Sequence, residues 1–494
     1  MTGCLASCND FLDTLPDKRA TLDTPEKIAR ILISAYPTQM PTVMFEVMSD
    51  NYTDNGPLYG VGYSTVEESY LYKNVSASWD CPSNVWSIYG NIASANEALA
   101  AIEQLGNPES TRGTKAEALL CRAFGHFILV NTFCIAYNPV SSGTDMGIPY
   151  MEVPETTVSP SYERKTVAYV YDKINADIEE ALPLLKDNYT QPKYHFNRRA
   201  AYAFAARFNL YYGQWDKVVR YATEAIGEDP RAFLRDASLY LDLVTFDERY
   251  YAYISVDEPC NFLVLSQRSL WGRYYGSTNT SRCRYAHNRS RAHMTYYQYF
   301  PWGGVANGYG FSSGNDLALA YPKVREMFEL TNAIAGTGQA HTVLVPFTAD
   351  ETLMCRAEAH AMLGNFDEAA RDLSYWYWQN TADHRTYTKE QISVYYSQER
   401  TRSPYISLVD SRFNIQPGMQ SNLVRAILAA RRLEGVHVGL RWPDVKRHGI
   451  TVLHPVLKSQ TEIGTLLSLA PYEKRTAIQL PGEVIAAGLP ANPR

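Results

Sequence analysis

Two stretches of the chain share one pattern and decide its fold: Leu210-Tyr211-Tyr212-Gly213-Gln214-Trp215-Asp216-Lys217 and Ala361-Met362-Leu363-Gly364-Asn365-Phe366-Asp367-Glu368. In each, a glycine is followed two residues later by an aromatic residue and then by an acidic one. An alanine-rich run precedes the glycine, and a second run with helical spacing of apolar residues follows it. Because glycine between two such runs is typical of a helix end, both stretches predict a helix, a tight turn and a second helix.

This pattern matches the tetratricopeptide repeat, in which small residues let two helices pack closely and an aromatic side chain fills the turn. The second copy begins 151 residues after the first, so the repeats are not in tandem and a long insertion separates them. Other runs with helical spacing lie at about 28–35, 85–102, 116–127, 167–185 and 423–434. The sequence therefore predicts a mainly α protein, with a tetratricopeptide-like helical scaffold and a large loop-rich insertion.

The chain is predicted to be a single domain over residues 9–494, in which scaffold and loop-rich segments alternate. The scaffold is expected at approximately 23–229, 346–378 and 423–450. The loop-rich binding part is expected at approximately 49–82, 230–345 and 380–420. Long segments without a regular pattern inside a folded chain are usually functional loops, and the aromatic content of these segments argues against disorder.

The overall composition is that of a folded, mildly acidic protein. Of the 494 residues, 46% are hydrophobic and 20% are charged, which is ordinary globular usage. Lysine and arginine number 46 against 52 aspartate and glutamate, so the net charge of −6 gives no electrostatic footprint for nucleic acid. The 37 Tyr, 8 Trp and 17 Phe cannot all lie in a core, and exposed aromatic rings usually form contact surfaces.

Motifs for catalysis or metal binding are weak in this sequence. The eight cysteines contain no CxxC pair, so neither a zinc site nor a redox motif is indicated, and their spacing demands no disulfide. The stretch 310–314 fits the G-x-S-x-G pattern, but the residues before it do not form the strand that a nucleophile elbow needs. His437, His448 and His454 lack the spacing of metal ligands and are expected to be surface or hydrogen-bonded histidines. We therefore predict no catalytic residue, no metal and no cofactor.

The N-terminal stretch Leu5-Ala6-Ser7-Cys8 resembles a bacterial lipobox, in which a cysteine after small residues is lipidated. Only seven residues precede Cys8, too few for the charged and apolar regions of a signal peptide. We expect residues 1–8 to be the remainder of such a signal and Cys8 to be the lipidation site. The longest apolar stretch, at 123–130, is too short to cross a bilayer, so the lipid would anchor the protein without a spanning segment.

Taken in order, several short motifs resemble the SusD/RagB family, the surface lipoproteins of Bacteroidota nutrient-uptake systems. The motifs are Asn9-Asp10-Phe11-Leu12-Asp13, Ser49-Asp50-Asn51, 89–96, Arg122-Ala123-Phe124, 356–359, 431–447, Gln479-Leu480-Pro481 and Asn492-Pro493. The resemblance implies four tetratricopeptide-like helix pairs and a loop-rich binding half. It also implies a SusC-like, TonB-dependent outer-membrane transporter as the partner, over which the protein closes like a lid.

The stretch Arg431 to Arg447 is rich in arginine and contains a tryptophan, which is one pattern of nucleic-acid binding. Glu434 and Asp444 lie between the arginines, and the chain is acidic overall. We predict that these arginines donate to carboxylates and carbonyls and tie the last helix to the scaffold.

The aromatic residues of the irregular segments are the predicted ligand contacts. Sugar rings present apolar C–H faces and peptides present apolar side chains, so flat indole and phenol rings can bind either. Trp86, Trp215, Trp376 and Trp442 lie in helical motifs and are expected to be structural. The predicted contacts are Tyr70, Tyr72 and Trp79 in the first loop and Trp271, Tyr274, Tyr275 and Trp302 in the insertion.

The predicted function is therefore that of a non-catalytic, lipid-anchored protein at the cell surface of the outer membrane. It would capture an oligosaccharide or polysaccharide and deliver it to its transporter. One alternative is a peptide-binding counterpart in the same kind of uptake system. The other is a helical-repeat scaffold that binds protein and no nutrient.

Overall fold

The structure is a computed structural model that describes residues 22–155, 161–276, 283–295, 299–300, 303–304, 311–312, 318–381, 384–397 and 412–494. The helices in this part are α1 (Pro25–Ile31), α2 (Thr42–Met48), α3 (Ser64–Tyr70), α4 (Pro82–Trp86), α5 (Ile88–Gln104), α6 (Arg112–Phe133), α7 (Val167–Ala181), α8 (Arg198–Tyr212), α9 (Trp215–Ile226), α10 (Phe246–Ile254), α11 (Trp271–Gly276), α12 (Arg289–Ala292), α13 (Ala349–Leu363), α14 (Phe366–Asn380), α15 (Lys389–Ser397), α16 (Met419–Gly435), α17 (Arg441–His448) and α18 (Gly482–Ala486). The strands are β1 (Thr53–Asp54), β2 (Asn261–Gln267), β3 (Tyr285–Ala286), β4 (Tyr299–Phe300), β5 (Gly303–Gly304), β6 (Phe311–Ser312), β7 (Leu319–Ala320), β8 (Met327–Asn332), β9 (Thr337–Thr348), β10 (Val452–Leu457) and β11 (Ile463–Leu469).

The two predicted helix–turn–helix units are confirmed as α8–α9 and α13–α14. Asn197 caps the start of α8 by accepting from the Ala200 amide, and Thr348 caps α13 by accepting from the Glu351 amide. The two helices that open these units end at glycines in the left-handed region, where a side chain is disfavoured. Helix α9 packs against α13, so the two units lie side by side although the insertion separates them in sequence. The mainly α prediction is confirmed.

Helix α6 is buried over most of its length and lies at the centre of the scaffold, between α5 and α7. Its buried Arg122 donates to both carboxylate oxygens of Asp177 on α7, at 2.8 and 2.6 Å. At its C-terminal end, the Lys446 ammonium donates to the carbonyl oxygens of Asn131 and Cys134, both at 2.6 Å. A cation is favourable there because the carbonyls at a helix C-terminus carry partial negative charge. Burial nevertheless lowers the pKa of Lys446 to about 7.

The insertion is more regular than its sequence indicates, since it contains α10 to α12 and a three-stranded antiparallel sheet in the order β2–β9–β8. Strand β2 reads as a short apolar run, which periodicity alone does not assign to a strand. Strand β9 leads directly into α13, so the sheet joins the insertion to the scaffold. The segments at 49–82 and 380–420 likewise contain α3 and α15.

The predicted structural role of the arginine-rich stretch is confirmed by buried ion pairs. Arg441 donates to both oxygens of Asp50, at 2.7 and 2.9 Å, and Arg432 donates to the Asp50 carbonyl at 2.7 Å and to Asn51 Oδ1 at 2.8 Å. Burial alone would raise the pKa of Asp50, but the two guanidinium groups outweigh it and hold that pKa well below its usual range. The stretch thus binds the Ser49-Asp50-Asn51 motif from the other end of the chain.

The same stretch also binds the second helix pair. Arg447 donates to both oxygens of Glu358 on α13, at 2.7 and 2.8 Å, and His448 Nε2 lies 2.9 Å from the same carboxylate. Arg431 donates from Nε to Asp444 at 3.0 Å. All five side chains are buried, so each charge depends on its partner for the interactions that water would otherwise supply.

The structure shows how deeply the three histidines and the four tryptophans predicted to be structural are buried. His437, His448 and His454 are all fully buried, and the two ring nitrogens of His454 lie 2.9 Å from the carbonyl oxygens of Tyr70 and Ser49. The first alternative, surface histidines, is therefore wrong for all three, whereas the second, hydrogen-bonded histidines, is confirmed for His448 and His454. Trp376 and Trp442 are fully buried, as expected of structural residues, and Trp86 and Trp215 are half-buried.

Candidate functional site

An open groove of about 430 Å³ lies where the loop before α4, the connection from β2 to α11 and the hairpin β8–β9 meet. Its size is within the range of about 300–1,000 Å³ that small-molecule sites occupy. The lining residues are Gln39, Ser78, Trp79, Asn84, Arg268, Leu270, Arg273, Phe328, Gly338, Gln339 and Ala340. The groove thus combines two exposed aromatic rings with amide and guanidinium groups.

Trp79 presents its indole to this groove from a loop that is fixed by hydrogen bonds. Trp79 is 40% exposed. Its backbone carbonyl oxygen accepts a hydrogen bond from the Thr65 hydroxyl at 2.7 Å. The following residue, Asp80, is buried and accepts from the Ser269 hydroxyl at 2.6 Å and from the Leu270 amide at 3.0 Å. Both walls of the groove are joined at this point, because Ser269 and Leu270 belong to the connection from β2 to α11.

Asp80 performs this role in an unusual environment. Its backbone lies in the left-handed region, with φ of 51°, which aspartate tolerates better than most residues. Burial raises the pKa of its carboxyl to about 6, and the two hydrogen bonds from Ser269 and Leu270 only partly oppose that shift. A protonation change at Asp80 would therefore act directly on the loop that carries Trp79.

The opposite wall is held by Arg273, which donates to both oxygens of Glu326 at 2.6 and 2.8 Å. This contact requires the start of α11 to lie against the chain that enters β8. Gly272 permits that approach, since a Cβ atom there would lie 1.9 Å from the amide nitrogen of Glu326 and 2.0 Å from the carbonyl carbon of Arg325. The glycine is thus required by packing and not by its φ angle.

Arg268 directly follows β2, where the Gln267 side chain donates to the Pro37 carbonyl and the Arg268 amide donates to the Thr38 carbonyl, both at 2.8 Å. Its side chain is exposed at the groove. Among the described residues, no carboxylate lies within ion-pair distance of this guanidinium. Arg268 therefore contributes an unneutralised positive charge to the groove.

Two of the predicted ligand contacts in the first loop, Tyr70 and Tyr72, are buried. The Tyr70 hydroxyl donates to the Pro455 carbonyl at 2.7 Å, and its ring stacks on His454 with centroids 4.1 Å apart. The Tyr72 hydroxyl donates to the Met48 carbonyl at 3.0 Å. Their rings pack inside the protein, which favours a structural role for both.

Two of the predicted contacts in the insertion are buried as well. Trp271 is fully buried and donates from its indole nitrogen to the His437 carbonyl at 2.7 Å. Tyr274 is 6% exposed and packs edge-on against Tyr63, with ring centroids 4.2 Å apart. Together with Tyr70 they belong to a small hydrophobic cluster beneath the groove. Their burial favours support of the groove over contact with a ligand.

Of the other residues predicted to bind a ligand or a lipid, one is exposed at the groove and the rest have side chains that the structure does not describe. Tyr275 lies in α11, but its side chain is not described, and Trp302 and Cys8 lie outside the described residues. Among the predicted aromatic residues whose side chains are described, Trp79 is the one with substantial exposure. The groove residues that sequence reasoning missed are polar or isolated, namely Gln39, Asn84, Arg268, Arg273, Phe328 and Gln339. For Asn84 and the two arginines, closeness in sequence to Trp79 or Trp271 was the one feature of the sequence that could have indicated them. The other three residues had no such feature.

A second cleft, of about 420 Å³, lies between α5, the segment at 149–155 and α18. It is lined mainly by apolar side chains, among them Trp86, Met151 and Leu489. The Asn96 amide at its base donates to the Met151 carbonyl at 3.0 Å, so this group is already engaged within the protein. The Trp79 groove is the better candidate for a polar ligand.

The described residues offer little for catalysis or metal binding. No group of three or more His, Cys, Asp or Glu side chains in this part is arranged to hold a metal ion. Neither a histidine nor a carboxylate lines the Trp79 groove within the same part. No helix in the described ranges is long and apolar enough to cross a membrane. The groove lining itself supplies aromatic rings that can stack on a ligand and polar side chains that can form hydrogen bonds with it.

Comparison with known proteins gives one family match. Residues 10–210 match a SusD-like family described as starch-binding and associating with the outer membrane. A search of curated proteins finds no match to the chain.

Solved structures resemble the chain over nearly all of its length. One is a SusD superfamily protein from Bacteroides thetaiotaomicron, with 17% identity, coverage of 96% of this chain and 100% of that chain, and a TM-score of 0.63. Another, from Bacteroides fragilis, has 16% identity, coverage of 95% and 99%, and a TM-score of 0.65. A third is a SusD-like carbohydrate binding protein from Bacteroides vulgatus, with 16% identity, coverage of 94% and 96%, and a TM-score of 0.64. The chain shares the fold of these proteins.

Proposed function

We propose that this chain is a SusD/RagB-family protein that captures a glycan in the Trp79 groove, because it has the fold of SusD superfamily structures and its residues 10–210 match a SusD-like family. At the level of the family, the match supports carbohydrate binding and association with the outer membrane. For this chain, the observation that carries the proposal is the exposed indole of Trp79 on a loop fixed by Thr65 and Asp80.

The groove has the two kinds of group that sugar recognition requires. The apolar C–H face of a sugar ring stacks on an indole, and burying that area supplies affinity. The side chains of Gln39, Asn84 and Gln339 line the same groove and can donate to or accept from sugar hydroxyls. Because the loop is already held in place, little conformational entropy is lost on binding.

The proposed role is binding without turnover. Hydrolysis of a glycosidic bond ordinarily uses a pair of carboxylates on either side of that bond. The described lining of the groove supplies no carboxylate, and its hydroxyl group, on Ser78, has no histidine beside it in that lining. Bound sugar would therefore be held and released unchanged.

Delivery to a partner completes the proposal. A lipid on Cys8 would hold the protein at the outer-membrane surface, and a SusC-like, TonB-dependent transporter would receive the glycan. The family description of association with the outer membrane supports this placement.

A peptide ligand is the second candidate, and one observation favours it. Strand β8 is at the edge of the sheet β2–β9–β8 and is largely exposed, and Phe328 on this strand lines the groove. An extended peptide can pair with such an edge through main-chain hydrogen bonds. A helical scaffold that binds only protein has no need of the Trp79 groove.

A binding panel tests these candidates. Purified protein is titrated by calorimetry with neutral and acidic polysaccharides and with peptide mixtures, and the recovered ligand is checked for cleavage by chromatography. Glycan binding without cleavage is the expected result. Peptide binding alone would support the second candidate, and released products would contradict a non-catalytic role.

A further inference from the structure

The charge of the Trp79 groove identifies a class of ligand within the proposed function. Arg268 and Arg273 both line the groove, and its described lining includes no aspartate or glutamate. The whole chain carries a net charge of −6, so this local positive charge runs against the average of the protein. A positive groove on an acidic protein favours a ligand of negative charge.

The two arginines differ in what they can offer. Arg273 is engaged by Glu326 through Nε and Nη2, so its charge is neutralised and its position is fixed. Arg268 is exposed and, within the described part of the chain, is not within ion-pair distance of any carboxylate. The unneutralised charge of the groove is therefore that of Arg268.

The chemistry of a guanidinium group indicates which anionic groups of a ligand Arg268 could bind. Its planar set of N–H donors matches the two oxygens of a carboxylate and also binds a sulfate ester. Arg268 and Trp79 line one groove of a size suited to a short oligosaccharide. A sugar ring stacked on the indole would place its own acidic group, or that of the neighbouring sugar, within the same groove.

We propose that the glycan captured in the Trp79 groove is acidic, and that Arg268 binds its anionic group. This inference rests on the proposed glycan-binding function and specifies its substrate class. A carboxylated sugar and a sulfated sugar share the required chemistry, and the experiment distinguishes them.

The test uses pairs of glycans that differ mainly in charge. Oligogalacturonate is compared with its methyl ester, and dextran sulfate with dextran, by calorimetry at low and at physiological salt. We expect at least one acidic member to bind about five-fold or more tighter than its neutral counterpart, with the difference falling as salt rises. The pair that shows the preference identifies the anionic group as a carboxylate or a sulfate.

Two variants assign the preference to a residue. Arg268→Gln is expected to abolish the preference, so that the acidic and neutral members bind this variant with similar affinity. Arg371→Gln, which removes an exposed arginine from α14 outside the groove, is the matched control and is expected to change neither affinity.

Each contrary outcome has a distinct meaning. Equal binding of acidic and neutral members, or a preference that survives in Arg268→Gln, would overturn the acidic assignment. Tighter binding of the neutral member than of the acidic member, with a dependence on Trp79, would overturn it and leave the proposed function in place. Absence of binding to every glycan in the panel would count against both.

Discussion

Asp50 and Arg441, which are 391 residues apart in sequence, form a two-pronged ion pair with no exposed surface on either side chain. Asp50 lies two residues after the end of α2, and Arg441 begins α17, so this one contact joins an early and a late part of the described chain. Two short sequence motifs, separated by almost the whole chain, thus meet in one buried site.

The first prediction concerns the stability that this pair supplies. Arg441→Ala would leave a buried carboxylate without its main partner, and we expect the free energy of unfolding to fall by about 3–5 kcal/mol. Arg198→Ala removes one member of an exposed pair with Glu224 and should cost no more than about 1 kcal/mol. Urea denaturation measures both, and similar values for the two variants would contradict the assigned role of the buried pair.

The second prediction separates packing aromatics from ligand contacts. Trp271→Ala should lower the free energy of unfolding by about 3–5 kcal/mol, because it empties a fully buried site and removes the hydrogen bond to the His437 carbonyl. Trp79→Ala should change it by less than about 1 kcal/mol, since the indole is substantially exposed. Thermal denaturation distinguishes the two, and a stable Trp271→Ala variant would show that this tryptophan is not a packing residue.

The third prediction compares two glycines. A Cβ atom at Gly364 would meet nothing within 4 Å, so Gly364→Ala should cost only the strain of its φ of 82°, about 1 kcal/mol. At Gly272 a Cβ atom would lie 1.9 Å from a backbone nitrogen, so Gly272→Ala must displace α11 and should cost more than about 3 kcal/mol. Equal costs in chemical denaturation would contradict the close approach at Gly272.

The fourth prediction follows from the raised pKa of Asp80. Because folding raises this pKa to about 6 from an unfolded value near 4, the folded state binds the proton more tightly. The contribution of Asp80 to stability is therefore present in full below about pH 4 and is lost as the pH rises through about 6. Asp80→Asn lacks this titration, so the stability of the variant relative to the native protein should increase across that window. Denaturation of both proteins at several pH values measures the difference, and a difference independent of pH would contradict the burial of an ionisable Asp80.

The helical part of the fold was predictable because its signals are local. The glycines at 213 and 364, and the alanine-rich runs before them, specify helix ends and close packing within about twenty residues. The structural role of Arg441 was also predictable in kind, because an arginine among acids in an acidic chain needs carboxylate partners. Its partner was not predictable, because Asp50 is brought to it only by the folding of everything between them.

The candidate site was less predictable from the sequence, because its residues are also brought together only by folding. Trp79 and Trp271 both lie in segments without helical spacing, and composition does not separate them. Trp271 is buried in a hydrophobic cluster, and its indole donates at 2.7 Å to the His437 carbonyl, which is 166 residues away in sequence. Arg268 belongs to the site only because β2 delivers it to the groove opposite the Trp79 loop. Exposure depends on long-range contacts, which residue type does not reveal.

The central claim is that Trp79 is the main contact for a glycan, and calorimetric titration of Trp79→Ala with the tightest glycan of the panel tests it most directly. Trp86→Ala, which alters the apolar cleft instead, is the matched control. We predict that Trp79→Ala weakens binding by about 10-fold or more, as loss of a central aromatic contact commonly does, with an unchanged thermal transition, whereas Trp86→Ala retains the native affinity. An unchanged affinity in Trp79→Ala, or a loss confined to Trp86→Ala, would contradict the assignment of the site.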